Sequence, residues 1–296
     1  MKRSLYKNLL VWKNSQNRKP LLLQGARQVG KTYLISEFGQ KEYSNYIYLN
    51  FEQDPNLSTL FKNELKPQEI INNISLYIGK KIAFSDTLIF FDEIQTVPEV
   101  LTSLKYFCEQ GPYYHIVAAG SLLGVSVGKK TSFPVGKVNF MTLYPMNFIE
   151  FLIASDEELL AEKLLSVKKV EPFPEILHEK ILRLLKMYIF LGGMPEVLQN
   201  YFHNKDITEA RKIQNEIVEA YKRDFSKHTE KSQSIKTSEL WISIPRQIAK
   251  ENKKFKYGDV RKNARSTTFE QTIEWLRKAG LINVVYNITV PNLHNS

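Results

Sequence analysis

Eight residues, Gly25-Ala-Arg-Gln-Val-Gly-Lys-Thr32, restrict what this chain can fold into more than any other stretch. The spacing G-x-x-x-x-G-K-T suits a loop whose glycines let backbone N–H groups turn toward one anion, with a lysine and a hydroxyl delivered to the same point. Its surroundings meet that demand. The apolar run Leu21 to Leu23 predicts a strand before the loop, and Leu34, Ile35 and Phe38 predict a helix after it, with Gly39 as the expected stop. Such a helix directs its positive dipole end at the same anion. Gly25, Ala26, Arg27, Gln28, Val29, Gly30, Lys31, Thr32 and Tyr33 are therefore the candidate nucleotide-binding residues. Lys31 would reach the β- and γ-phosphates, and Thr32 would coordinate Mg²⁺.

A second stretch gives the first its chemistry. Asp86-Thr-Leu-Ile-Phe-Phe91 is apolar and β-favouring and ends in Asp92-Glu93, as expected of a buried parallel strand whose carboxyl end offers two carboxylates to a ligand crevice. Asp92 would hold Mg²⁺ through water, and Glu93 would polarise an attacking water. A water-activating base at that point favours hydrolysis over phosphoryl transfer to a second substrate, and a small-molecule kinase fits the pattern poorly.

At 296 residues the chain is long enough for two or three domains. Its formal net charge of +10 suits an anionic partner, although a basic surface also serves solubility alone. The single cysteine, Cys108, excludes a disulfide within the chain. No apolar run approaches the ~18 residues of a membrane span. Lys7, Asn8, Lys13 and Asn14 interrupt any signal-peptide core, so the expected location is the cytoplasm. The five histidines are scattered and none pairs at zinc spacing.

Helix and strand signals alternate over the first half. A short amphipathic helix within residues 1–19 leads to the first strand; a second strand is expected at Asn45 to Phe51, with helical stretches at Leu57 to Phe61 and Pro67 to Ile78. Pro98 opens the helix after the acidic strand. His115 to Ser121 then reads as a buried strand and Val138 to Leu143 as the last one. This is a doubly wound α/β core. Ser121 arrives at the same edge as Asp92, where it either bonds the γ-phosphate or attacking water, or caps the next segment.

From Asp156 the pattern is helical, with helices around Leu159 to Leu165, Ile176 to Phe190 and Ile207 to Phe225, and a glycine turn at Leu191 to Glu196. The polar stretch 226–238 reads as a linker. After it come a helix at Leu240 to Ala249, a short one at Tyr257 to Ala264 and another at Phe269 to Ala279. The last has capping-box spacing at Thr267 to Glu270 and stops at Gly280, before a strand-like run at Leu281 to Tyr286. That order is the order of a winged helix-turn-helix. Between Arg246 and Lys278 ten basic and four acidic residues give net +6. Lys253, Lys254, Lys256, Arg261, Lys262 and Arg265 would bind DNA or an acidic protein, and both readings are open. The expected division is 1–155, 156–230 and 231–296.

Taken together, several segments resemble a known family. They are the phosphate loop, Leu88-Ile-Phe-Phe-Asp-Glu-Ile-Gln95, Ala119-Gly-Ser-Leu-Leu-Gly124, Phe133-Pro-Val-Gly-Lys137, Leu143-Tyr-Pro-Met-Asn-Phe-Ile-Glu-Phe151 and Leu191-Gly-Gly-Met-Pro-Glu196. This set is similar to the prokaryotic AAA+-type ATPases usually labelled "ATP-binding protein". The resemblance spans nearly the whole chain. It implies a parallel sheet of strand order 5-1-4-3-2, a helical region, a winged helix, ATP with Mg²⁺ as ligand, and a sensor-1 position at Ser121. The family usually has arginine where Lys137 stands, and lysine lacks the planar fork of an arginine finger. It also usually continues into a restriction-endonuclease-like region, so the resemblance implies a truncated chain without nuclease activity.

Two functions follow. One is an ATPase in which Lys31 and a further cation neutralise the phosphoryl group, with Lys137, Arg223 and Arg246 as candidates by location, or with a second subunit of a homo-oligomer supplying the charge. The other is a nucleotide-gated DNA- or protein-binding module with little or no turnover.

Overall fold

Five parallel strands form the sheet: β1 (Leu21–Gln24), β2 (Asn45–Asn50), β3 (Thr87–Asp92), β4 (His115–Ala119) and β5 (Asn139–Thr142). Their order is β2-β3-β4-β1-β5, which is the expected 5-1-4-3-2 read from the other edge. The computed structural model describes residues 1–62, 65–84, 86–120, 134–169, 172–228, 231–252 and 254–286. β3 and β4 are buried along their whole lengths, as their unbroken apolar runs require of strands covered on both faces. In register, Leu22 lies beside Ala118 and Ile89 beside Ile116. Parallel pairing delivers the ends of β1 and β3 to one edge, where both sequence motifs begin.

Helices α1 (Leu5–Lys13), α2 (Lys31–Glu42), α3 (Pro67–Ile78) and α4 (Pro98–Gln110) flank the sheet strands in sequence. Gly39 does not stop α2. A Cβ there would lie 2.3 Å from the Tyr46 ring, so the glycine admits close packing of α2 on β2, and the helix runs on to Glu42. The phenylalanines Phe51, Phe61 and Phe91 meet edge to face at 5.5–5.9 Å under this layer. Each fully buried ring contributes roughly 2–3 kcal/mol of transfer free energy.

After β5 come α5 (Phe148–Ala154), α6 (Glu158–Ser166), α7 (Glu175–Leu191), α8 (Pro195–Asn204) and α9 (Ile207–His228). Asn147 and Glu150 close a reciprocal cap on α5, at 2.9 and 3.1 Å. The sequence reading placed no helix at α8. Its start is written in the turn itself, since Pro195 occupies the first helical turn, where a missing N–H costs nothing. Gly193 is there for space: a Cβ would sit 2.2 Å from the Met146 carbonyl oxygen.

The chain forms two compact units, Met1–Asp224 and Phe225–Ser296. The second holds α10 (Lys231–Ile248), a 3₁₀ turn at Tyr257–Asp259 and α11 (Ser266–Lys278). Phe225 packs against Trp241 and Trp275 at 5.4 and 5.8 Å, and Leu240, Phe269 and Leu276 are fully buried. Three expectations change in this region. The stretch read as a linker is mostly helix, because its polar side chains find partners: Thr237 donates to the Gln233 carbonyl (2.9 Å) and Gln233 to Thr272 (2.9 Å). The capping box at Thr267 is absent, since Arg265 is the N-cap and Thr267 already lies inside the first turn. Residues 281–286 form no strand with any described residue; Leu281, Ile282 and Val284 are half-buried, and Val285 and Tyr286 lie exposed. Gly280, at φ 70°, does end α11.

Candidate nucleotide-binding site

The loop between β1 and α2 is shaped by three backbone positions. A Cβ on Gly25 would approach the Leu143 carbonyl oxygen to 2.3 Å, so only glycine lets the loop pass the end of β5. Gln28 and Gly30 adopt left-handed conformations, φ 62° and 90°, and Gly30 is the residue before α2. Lys31 folds back into this turn and donates to the carbonyls of Gly25 (3.1 Å) and Ala26 (2.9 Å). Its side chain is buried, which pulls its pKa down against the opposing influence of Glu93 and Asp92.

The two motifs meet at one hydrogen bond. Thr32 Oγ1 donates to Asp92 Oδ2 at 2.7 Å, and Tyr48 Oη donates to the same oxygen at 3.1 Å. The Glu93 N–H closes on Asp92 Oδ1 at 3.0 Å, with Glu93 itself left-handed at φ 55°. Burial raises the Asp92 pKa, and the Thr32 bond opposes the rise. A hydroxyl beside a buried carboxylate is the oxygen donor set a hard divalent cation prefers. Among the described residues no cluster of three or more His, Cys, Asp or Glu could hold a metal. The Thr32 hydroxyl and Asp92 carboxylate fit Mg²⁺, which keeps few protein ligands and completes its shell with phosphate oxygens and water. The turned loop, with Lys31 inside it, fits a phosphate chain.

Residues outside the motifs complete the site. Arg3 donates to the carbonyls of Val29 (2.8 Å) and Tyr144 (2.5 Å) and lies 3.3 Å from Glu150. Burial acts to raise the Glu150 pKa, but the Ser4 donors and the Arg3 guanidinium outweigh it and leave the carboxyl below its ordinary value. Tyr221 of α9 donates to the Arg27 carbonyl at 2.6 Å, and Asp224 lies 3.1 Å from Arg27 Nε. A cavity of about 650 Å³ opens over the loop, lined by Arg27, Lys31, Thr32, Tyr33 and Glu93 and by Glu196 and Gln199 of α8. Sequence reasoning missed Arg3, Tyr221 and Asp224. Nothing in their local sequence marks them, because each acts across more than twenty residues of chain.

The other predicted residues lie elsewhere. Ser121, like Lys253, falls outside the described residues. Lys137 stands at the amino end of β5, opposite the edge that carries the loop, and its Nζ pairs with Glu109 at 2.9 Å. Arg223 lines a different groove, of about 810 Å³, together with Phe190 and Arg211. Arg246 belongs to α10 in the second unit. There Lys254, Lys256, Arg261, Lys262 and Arg265 are exposed, with Arg261 gripping Glu239 through two bonds of 2.9 and 2.7 Å.

The sheet order and the loop define a P-loop NTPase fold of AAA+ type. Family comparison agrees: residues 17–152 match the family described as "AAA domain", and residues 182–296 match a domain of unknown function, DUF8612. Among solved structures, the chain is similar to the Walker-type ATPase PABY2304 of Pyrococcus abyssi, with a TM-score of 0.55 at 16% identity over 94% of this chain and 89% of that one. That likeness shows a shared fold. Weaker matches are PCH-2 of C. elegans (TM-score 0.38, 14% identity, 71% and 65% covered) and the Aeropyrum pernix ORC1 protein in complex with DNA (0.36, 11%, 93% and 81%). No curated protein matched the chain. Residues 17–152 thus carry an AAA domain, and the fold is shared with that Walker-type ATPase.

Proposed function

We propose that the chain binds ATP and hydrolyses it to ADP and phosphate. The observation that carries this reading is the 2.7 Å bond from Thr32 to Asp92, which joins the phosphate loop to the acidic end of β3. Lys31 neutralises the terminal phosphates, and the backbone N–H groups from Gly25 to Tyr33 orient them. Thr32 and Asp92 would hold Mg²⁺, whose charge, when bound, offsets that developing on the phosphate oxygens. Glu93 accepts the proton of the attacking water. Ser121 is assigned the role of bonding that water or the γ-phosphate. The test is Glu93→Gln, which keeps the shape and removes the base. Nucleotide binding should persist while turnover falls about 10²–10⁴-fold. Hydrolysis at the wild-type rate by the variant would remove Glu93 from this role.

A second reading, a nucleotide-gated module with little turnover, draws on a different contact. Gln95 Nε2 donates to Glu93 Oε2 at 2.5 Å, so the proposed base is already engaged. Both readings use the same coupling. α9 carries Tyr221 and Asp224 at the loop, and the next residue, Phe225, begins the second unit. We assign that unit, with the helical region before it, the work of passing nucleotide state to a partner, in the division 1–155, 156–230 and a winged-helix part at 231–296. The partner is DNA or an acidic protein held by Lys253, Lys254, Lys256, Arg261, Lys262 and Arg265. A homo-oligomer working in the cytoplasm accords with this scheme, and no helix among the described residues is long and apolar enough to cross a membrane.

A further inference from the structure

Phosphoryl transfer to water needs a cation besides Lys31, and neither Lys137 nor Arg223 lies in the cavity over the loop. Arg27 does. It is the third residue of the loop, and its side chain lines the same cavity as Lys31, Thr32 and Glu93. Its guanidinium is held from one side: Nε lies 3.1 Å from Asp224 Oδ2, whose side chain is 3% exposed, while the Arg27 side chain is 37% exposed. Tyr221 anchors the backbone of Arg27 at 2.6 Å, so the side chain can turn about a fixed Cα.

We propose that Arg27 is a switchable cation of the phosphate site, stored on Asp224 of α9 and transferred to the terminal phosphate when ATP is bound. This rests on the ATP reading of the same site. The energetics are those of an exchange. Leaving Asp224 breaks an ion pair to a buried carboxylate, which is costly, and only a triphosphate offers Arg27 an equivalent charge-assisted partner. ADP ends one phosphate short and leaves Arg27 on Asp224. By linkage, whatever shifts α9 and loosens the Arg27–Asp224 pair must change ATP affinity by the same factor that ATP changes the pair. The residue after Asp224 is Phe225, which packs against Trp241 and Trp275.

The test is the ratio of ATP to ADP affinity, measured by titration of a fluorescent nucleotide analogue in displacement by each, with Mg²⁺ present. Wild-type protein is measured first, since failure to bind ATP at all would overturn the ATP reading itself. Asp224→Asn, which no longer retains the guanidinium by charge, should raise the preference for ATP about 10-fold, a change the size of one charge-assisted bond. Arg27→Ala should lower the preference with ADP affinity unchanged, and Arg27→Lys should restore part of it. In the Arg27→Ala background Asp224→Asn should have no further effect. If Asp224→Asn does not fold, the Arg27 pair of variants carries the test alone. Equal weakening of both nucleotides in Arg27→Ala, or an Asp224→Asn effect that persists without Arg27, would show a structural ion pair and overturn the proposal.

Discussion

The two units bury different kinds of polar side chain. In the first, the buried residues include Lys31, Asp92, Glu150 and Asp224, all ionisable; in the second, the buried polar residues among those described are Thr237, Ser243, Gln247 and Thr272, all neutral. Burying an ion costs several kcal/mol even when it is paired, whereas a hydrogen-bonded amide or hydroxyl comes close to breaking even. A fold that needed only stability would resemble the second unit throughout. The first unit instead buries Lys31, Asp92 and Asp224 in or against one loop, where the proposed chemistry would take place.

The sharpest way to break this comparison is to remove a buried charge and watch activity and stability separately. Lys31→Met keeps the apolar stem and deletes the ammonium. ATP turnover should fall about 10²–10³-fold, the usual cost of losing one preorganised charge at a reacting centre. The melting temperature should stay level or rise, since burial already disfavours the charged form of Lys31. A clear loss of stability in this variant, equal to the loss of function, would make Lys31 a structural residue and erase the contrast between the units.

His115 tests the same contrast through pH. It is buried at the start of β4, shares a hydrogen bond with Tyr43 Oη at 2.7 Å, and burial, with Arg18 and Lys13 nearby, pushes its pKa down to about 4. Between pH 4 and 6.5 the unfolded chain binds a proton at this site that the folded chain refuses, so stability rises with pH across that window. The contribution is full above pH 6.5 and is lost as pH falls toward 4. At about 1.4 kcal/mol per unit, the effect is up to roughly 3 kcal/mol. Urea unfolding of wild type and His115→Phe at several pH values would show it as a slope that the variant lacks. Parallel slopes would mean that other groups dominate.

How much of this was readable in advance depends on how far apart the interacting residues stand. The phosphate loop and the Asp92-Glu93 pair are local patterns, and the sheet order came with the family resemblance they carry. Gly39 was misread because its neighbour, Tyr46, lies on another element. The stretch 226–238 was misread because composition does not reveal that Gln233 and Thr272 bond across 39 residues. Tyr221 reaches Arg27 across 194 residues, and no spacing rule in a single chain exposes such a pair. Charged and glycine motifs at short spacing declare themselves; the residues that hold them in place do not.

The neutral network of the second unit should yield the smallest effect, and on stability alone. Gln247 donates to Ser243 Oγ (2.8 Å) and to the Lys256 carbonyl (3.1 Å), and accepts from the Lys256 N–H (2.7 Å). Together these bonds fix the turn that follows α10. Gln247→Leu fills similar space but strands both Lys256 backbone groups, which should cost about 1–2 kcal/mol. Lys256 is itself exposed, so water can replace part of what is lost and holds the cost at that level. The variant should therefore unfold at lower denaturant while ATP affinity of the native protein is unchanged. Should ATP affinity fall as well, the neutral network would be part of the nucleotide response, and the line between a charged, chemical unit and a neutral, supporting one would have to be drawn elsewhere.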